Sequence, residues 1–342
     1  MRRPILTTLT GVLIFVVTYA DRSMHAAVQI GGIQYPSASQ ITNDGTALLL
    51  EDYASPPQTR QTFDRANPPP NDFEGLPYQL ARMNLLASEP PDAPLSASRL
   101  FVIDQNGILY VLDRKTRAFT PHIDFSKAFA NFANSSPNGG FGTGLGSIAF
   151  DPAYAKNGKF YTAHTEKPGL SSSGGSINVR MTGLDSRGFF TTTAINPPAG
   201  AVGFESVLIE WTDRNIRNAT FDGTAREILR VGFSFVFHPM GDLIFNPLAR
   251  RGDADYGNLY IAMGDGTAGE RAGITHTIPQ RLDALQGKIL RITPDIKLRS
   301  RDKLSSNGQY RIPSTGSNSN PFVSLGSARG EIYAYGFRNA HR

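Results

Sequence analysis

The chain has 342 residues, 18% of them charged, with 34 Gly, 23 Pro and a net charge of +5 at pH 7. That length has room for one large or two ordinary domains, and a loop-rich, weakly charged composition suits short strands joined by turns rather than a helical bundle. The small charge balance, with no basic run, argues against a nucleic-acid partner, and the absence of cysteine excludes disulfides, zinc–thiolate sites and cysteine nucleophiles.

The first signal in chain order is Met1-Arg2-Arg3 followed by an apolar stretch over residues 5–20. It has signal-peptide length and is shorter than the roughly 20 residues of a membrane span. Residues 1–26 are therefore expected to be a signal peptide cut after Ala20 or Ala26, which places the mature protein in the periplasm or outside the cell. The alternative is an uncleaved N-terminal anchor. Nothing later is apolar enough to cross a bilayer, so the chain is otherwise not expected to be an integral membrane protein. Residues 27–98 are expected to form an irregular arm, because the stretch 54–92 is rich in Pro, Asn and Asp, with Pro56-Pro57 and Pro68-Pro69-Pro70.

From residue 99 to 342 the pattern is that of strands. Apolar runs at 100–103 and 108–112 flank Asp104-Gln105-Asn106-Gly107, and Asn-Gly is a strong hairpin turn. Residues 147–150 lead through Asp151-Pro152 and Asn157-Gly158 into 159–165. Residues 233–238 and 242–245 lead through a Gly/Asp loop into 258–263, followed by 288–292 and 331–336. These runs are apolar at nearly every position, as strands covered on both faces are. Polar insertions interrupt them at 171–175 and 299–320, and only 281–286 hints at helix. Repeated hairpins of this kind point to an all-β sandwich, barrel or propeller, among which composition does not choose.

Two suggestive stretches carry no site. Gly264-Asp265-Gly266-Thr267-Ala268-Gly269 spells a dinucleotide fingerprint, but Gly273 and Pro279 interrupt the helix it requires. Asp253-Ala254-Asp255 imitates the start of a calcium loop, but the twelfth position, which must be acidic, is Gly264.

Four stretches are more informative. The first is Gly144-Leu145-Gly146-Ser147-Ile148-Ala149-Phe150-Asp151-Pro152. The second runs from Arg226-Glu227-Ile228-Leu229-Arg230-Val231 through His238-Pro239-Met240-Gly241-Asp242-Leu243 to Met263-Gly264-Asp265-Gly266. The third is Gln286-Gly287-Lys288-Ile289-Leu290-Arg291-Ile292, and the fourth is Asn320-Pro321-Phe322 with Tyr335-Gly336-Phe337-Arg338-Asn339. In this order, from about Leu100 to Arg342, they resemble the pyrroloquinoline-quinone (PQQ) dependent glucose/sorbosone dehydrogenase family.

The resemblance implies an all-β fold, a six-bladed β-propeller of which this chain would supply about four blades before stopping short of closure. It implies oxidation of a sugar or other alcohol hydroxyl by hydride transfer to PQQ. His238 falls at the family's catalytic base, and a base of near-neutral pKa suits removal of a hydroxyl proton as hydride leaves. Asp265 matches the aspartate that orients that imidazole, and Arg338 and Asn339 match a pair that contacts the cofactor together with His238, with Arg338 also catalytic as the stabiliser of charge on the quinone. The three carboxylates and the quinone of PQQ suit a guanidinium fork and an amide. The calcium ion of the family would find its ligands downstream of Arg342.

There are departures from the pattern. Gly142 stands where the family has a glutamine that touches the cofactor, Phe237 replaces a polar residue before the base, and Ala340 replaces a proline after Arg-Asn. A second reading is therefore carried along, that of a non-catalytic propeller binding a carbohydrate or protein ligand.

Overall fold

The computed structural model describes residues 29–30, 33–34, 51–59, 81–133, 142–168, 181–195, 202–235, 237–266 and 274–341. The expected signal peptide and the Ser/Gly-rich stretch 171–175 lie outside the described residues. The chain divides into two compact units, Met1–Ser55 and Pro56–Arg342. In the first, β1 (Gln29–Ile30) and β2 (Ile33–Gln34) pair antiparallel.

The second unit opens with an antiparallel four-stranded meander: β3 (Met83–Ala87), β4 (Arg99–Asp104), β5 (Ile108–Asp113) and β6 (Phe119–Asp124). The predicted Asn106-Gly107 turn joins β4 to β5, with the Gly107 N–H donating to the Asp104 carbonyl at 2.9 Å. β3 falls inside the stretch expected to be an irregular arm. Its five residues are short and bounded by Pro90-Pro91, so proline content hid a strand that pairs with β4.

The second sheet contains β7 (Leu145–Phe150), β8 (Lys159–Glu166), β9 (Leu184–Asp185), β10 (Phe204–Asp213) and β11 (Gly223–Phe233), in the order β7-β8-β10-β11-β9. All its pairs are antiparallel except β9 on β11. The third sheet has β12 (Met240–Phe245), β13 (Leu259–Met263) and β14 (Lys288–Ile292). After an insertion carrying the hairpin β15 (Lys303–Leu304) and β16 (Arg311–Ile312), it closes with β17 (Ile332–Tyr335). Its order is β12-β13-β14-β17.

Two predicted elements change. The run 233–238 is not a strand throughout: β11 ends at Phe233, and His238 has φ +48, a left-handed conformation no strand admits. Residues 281–286 are not helical. A 3-10 helix, Ile274–Gln280, precedes them and contains Pro279. The Ile278 carbonyl accepts from Arg281 N–H at 3.1 Å in one last turn and also from Lys288 Nζ, and the Pro279 carbonyl accepts from Lys288 Nζ and Gly336 N–H rather than from a further helical turn.

Packing explains the dense apolar runs. Val207, Ile209 and Trp211 of β10 join Phe101, Ile103, Leu109 and Val111 in one core, between the first and second sheets. Leu208 of the same strand joins Leu229, Val231, Leu243, Leu259, Ile261, Leu290 and Ile332 in the other core, between the second and third. The middle sheet is thus covered on both faces. The leading strands of the three sheets also lie side by side. Asn84 Nδ2 on β3 donates to the Gly146 carbonyl on β7 at 2.8 Å, and Ser147 Oγ on β7 donates to Asp242 Oδ1 on β12 at 2.8 Å. Successive antiparallel meanders packed face to face, with their first strands together, are the arrangement of a β-propeller. The expectation of about four blades compares with three such sheets and one separate β15–β16 hairpin in the second unit among the described residues.

Strand register gathers a set of chain ends at one edge. Leu145 opposes His164, Glu205 opposes Glu166 and Phe204 opposes Phe233 in the second sheet. Met240 opposes Met263, Met263 opposes Lys288, and Lys288 opposes Tyr335 in the third. Residues just beyond these positions therefore share an edge of their sheet.

Candidate active site

At that edge the β11–β12 connection carries His238, and the turn after β13 carries Asp265. His238 Nδ1 lies 2.8 Å from Asp265 Oδ1, with side-chain exposures of 11% and 1%. A buried carboxylate at this distance holds the imidazole with a proton on Nδ1, which leaves Nε2 as the ring atom able to take a proton. The pair was expected from the resemblance, and these two residues do meet.

The local backbone is built around the close approach. Gly264 N–H donates to the Pro239 carbonyl at 3.2 Å and Gly266 N–H to the His238 carbonyl at 3.3 Å. A Cβ at Gly264 would lie 2.2 Å from the His238 carbonyl oxygen, so any side chain there would drive the two loops apart. The left-handed φ of His238 is a strained conformation for a residue with a side chain, and such strain collects where a group must be aimed.

Arg338 reaches the site through its backbone. Its carbonyl accepts from Asp265 N–H at 2.9 Å, so the segment after β17 runs beside the aspartate turn. The side chains of Arg338 and Asn339 are exposed. Ala340 packs against β12: a Cβ at Gly241 would come within 2.6 Å of the Ala340 carbonyl. All four residues singled out from the sequence are therefore on the same side of the third sheet, with His238 and Asp265 in direct contact and Arg338 joined to Asp265 through the main chain.

Two positions named from the sequence as departures, Gly142 and Phe237, border the pair, and Lys288 was not singled out as a site residue. Gly142 has φ +67, and a Cβ there would meet Pro239 Cδ at 3.2 Å, so the position that departs from the resemblance borders the His238 loop. Phe237 stacks edge-on against Phe235, ring centroids 5.3 Å apart, beside the imidazole. Lys288 is fully buried, and its ammonium donates to the carbonyls of Ile278, Pro279 and Gln286 at 3.0, 3.0 and 2.6 Å. Burial pulls its pKa down to about 8, against the attraction of Asp283. Among the described residues no group of three or more His, Asp or Glu side chains is placed to hold a metal ion.

No family model matches the chain. Similar curated proteins are the Hedgehog-interacting proteins of Homo sapiens and Mus musculus, each 27% identical over 72% and 71% of this chain and 28% of their own length. The HIPL2 protein of Arabidopsis thaliana is 27% identical over 58% of this chain and 27% of its own. The chain thus spans little more than a quarter of the curated relatives it matches. Among solved structures, a glucose dehydrogenase aligns with a TM-score of 0.45 at 19% identity, covering 76% of this chain and 57% of that one. The apo-form of the soluble aldose sugar dehydrogenase of Escherichia coli aligns with a TM-score of 0.42 at 18% identity, and the PQQ-bound aldose sugar dehydrogenase of Streptomyces coelicolor with 0.43 at 20%, each covering 76% of this chain and 52% of its own.

Proposed function

We propose that this propeller belongs to a quinoprotein oxidoreductase that oxidises a sugar or other alcohol hydroxyl with PQQ. The observation that carries the reading is the His238–Asp265 contact, 2.8 Å long and at the edge where Arg338 and Asn339 also lie. The residues present suit the cofactor. An exposed guanidinium and amide offer donors to carboxylates and quinone oxygens, whereas Gly142 supplies none of the hydrogen bonds that a glutamine there would.

PQQ, when bound, supplies the hydride acceptor. His238 Nε2 takes the hydroxyl proton, and Asp265 stabilises the imidazolium through Nδ1–H. Arg338 and Asn339 would hold the anionic cofactor, and Arg338 would stabilise charge on its quinone. The test is His238→Ala in PQQ-loaded protein: turnover falls by about 10²–10⁴-fold while PQQ affinity is largely kept. Turnover at the wild-type rate would remove His238 as the base.

A second reading is a non-catalytic binding propeller. Two observations favour it: the likeness to proteins named for interacting with Hedgehog, and the apolar Phe235–Phe237 pair where a sugar site would offer hydrogen bonds. Absence of PQQ binding together with retention of a protein or carbohydrate ligand would support it.

A further inference from the structure

We infer that Lys288 is a positioning residue whose buried ammonium fixes the orientation of His238 through the main chain. Its three N–H donors have three carbonyl acceptors, on Ile278, Pro279 and Gln286, so one cation ties the 3-10 helix to the start of β14. From there each link is a hydrogen bond. The Pro279 carbonyl also accepts from Gly336 N–H at 2.9 Å, and the Gly287 carbonyl accepts from Gly336 and Phe337 N–H, both at 3.1 Å. Gly287 N–H donates to the Gly264 carbonyl at 2.8 Å. Asp265, next in sequence, donates its N–H to the Arg338 carbonyl at 2.9 Å and holds His238 Nδ1 at 2.8 Å.

Two chain segments, the 3-10 helix and the β14 approach, therefore meet on one ammonium, and the Gly264–Asp265 turn and the strand leading to Arg338 are bonded to those two through the Gly287 and Pro279 main chain. They converge closely. A Cβ at Gly287 would lie 2.7 Å from both the Phe337 carbonyl and Pro279 Cα, so there is no slack to absorb a lost contact. Burying a cation without a carboxylate in hydrogen-bond range is costly, and full satisfaction by carbonyl dipoles is what makes it tolerable. An apolar residue would fill the same space without drawing the carbonyls together. A charge kept in so apolar a place, at the meeting point of the segments that carry Asp265 and Arg338, fits a role in aiming the pair.

The inference rests on the proposed role of His238, but its readout needs no cofactor. In ¹⁵N-histidine NMR of the cofactor-free full chain, the ring N–H of His238 bonded to Asp265 should give a far-downfield proton resonance. Lys288→Met should abolish that resonance and speed amide exchange at Gly336 at least tenfold in protein that still unfolds cooperatively. Leu290→Ala, in the core on the same strand, should destabilise the fold and leave the resonance in place. Should Lys288→Met fail to fold, wild-type protein taken from pH 7 to pH 9.5 gives the same reading as Lys288 loses its proton. The ionisable groups to be considered are Asp283 in the preceding loop, His276 on the 3-10 helix, Tyr335 opposite on β17, and Asp265, Arg338 and His238 itself beyond the turn. The resonance should fade between those limits in wild type and in a His276→Gln control alike. An unchanged resonance in Lys288→Met, or across the pH range in wild type, overturns the inference. Absence of PQQ binding with the resonance still dependent on Lys288 would instead defeat the proposed function and leave the positioning intact.

Discussion

His238 combines a left-handed backbone, a buried carboxylate partner and a following proline in one position. Together these hold the ring, which a general base needs more than it needs exposure. The carboxylate sets the tautomer, so Asp265→Asn should lower turnover by up to roughly 10⁴-fold while leaving the fold intact, as loss of a tautomer-fixing carboxylate does elsewhere. Steady-state kinetics beside a thermal melt would check this. Equal loss of both activity and stability would mean that Asp265 serves folding. The chemistry-bearing residues were legible because each has a distinctive functional group in an ordered motif. The supporting contacts were not: Gly264 acts through close backbone approach to His238 and Lys288 through an ammonium that bonds carbonyls of two segments, and neither spacing nor residue type announces such contacts.

At the level of strands, the second sheet shows how polar residues fit a covered element. Arg230 on β11 donates to Glu166, Glu205 and Glu227 at 2.8–2.9 Å, and all four are buried. Burial raises the Glu205 carboxyl, whereas for Glu166 the opposing effect of burial is outweighed by His164 and Arg230, which hold it low. Arg230→Met would leave three carboxylates without their cation and should cost about 3–5 kcal/mol in urea unfolding. A loss below the error of the measurement would mean that the carboxylates are protonated together. This network also explains why β10 was missed in the sequence: Glu205 and Glu210 break its apolar run, and their partners Arg230, Arg226 and Lys159 come from β11 and β8.

On β6, His122 sits among Phe101, Phe160 and Phe221, with Nδ1 2.9 Å from the Ala219 carbonyl. Burial lowers its pKa to about 4. The unfolded chain takes a proton near pH 6.5 and the folded chain does not until near pH 4. The contribution of His122 is therefore full above pH 6.5 and is lost as pH falls, by roughly 3 kcal/mol in all. His122→Phe should flatten the stability profile between pH 7 and 4 by that amount. Parallel profiles for the two proteins would show that the imidazole is already solvated.

For the molecule as a whole, the β4–β5 hairpin turn and the strands β4, β5, β7, β8, β12, β13, β14 and β17 were legible, since apolar runs and Asn-Gly turns act locally. The β3 strand and the three-sheet arrangement depend on pairings across many residues. Residues 1–26 carry the expectation of export, and N-terminal sequencing of the mature protein should begin at Asp21 or Ala27; a cytosolic product starting at Met1 would contradict it.

The central claim is that the His238–Asp265 edge accepts PQQ, and an absorbance titration of the cofactor-free protein with PQQ and calcium tests it most directly. Wild-type protein should bind saturably, and Arg338→Ala should bind more weakly by roughly 1.5–3 kcal/mol, the worth of a charge-assisted hydrogen bond. No saturable binding by wild type, or equal affinity in the two proteins, would contradict the assignment of this edge to the cofactor.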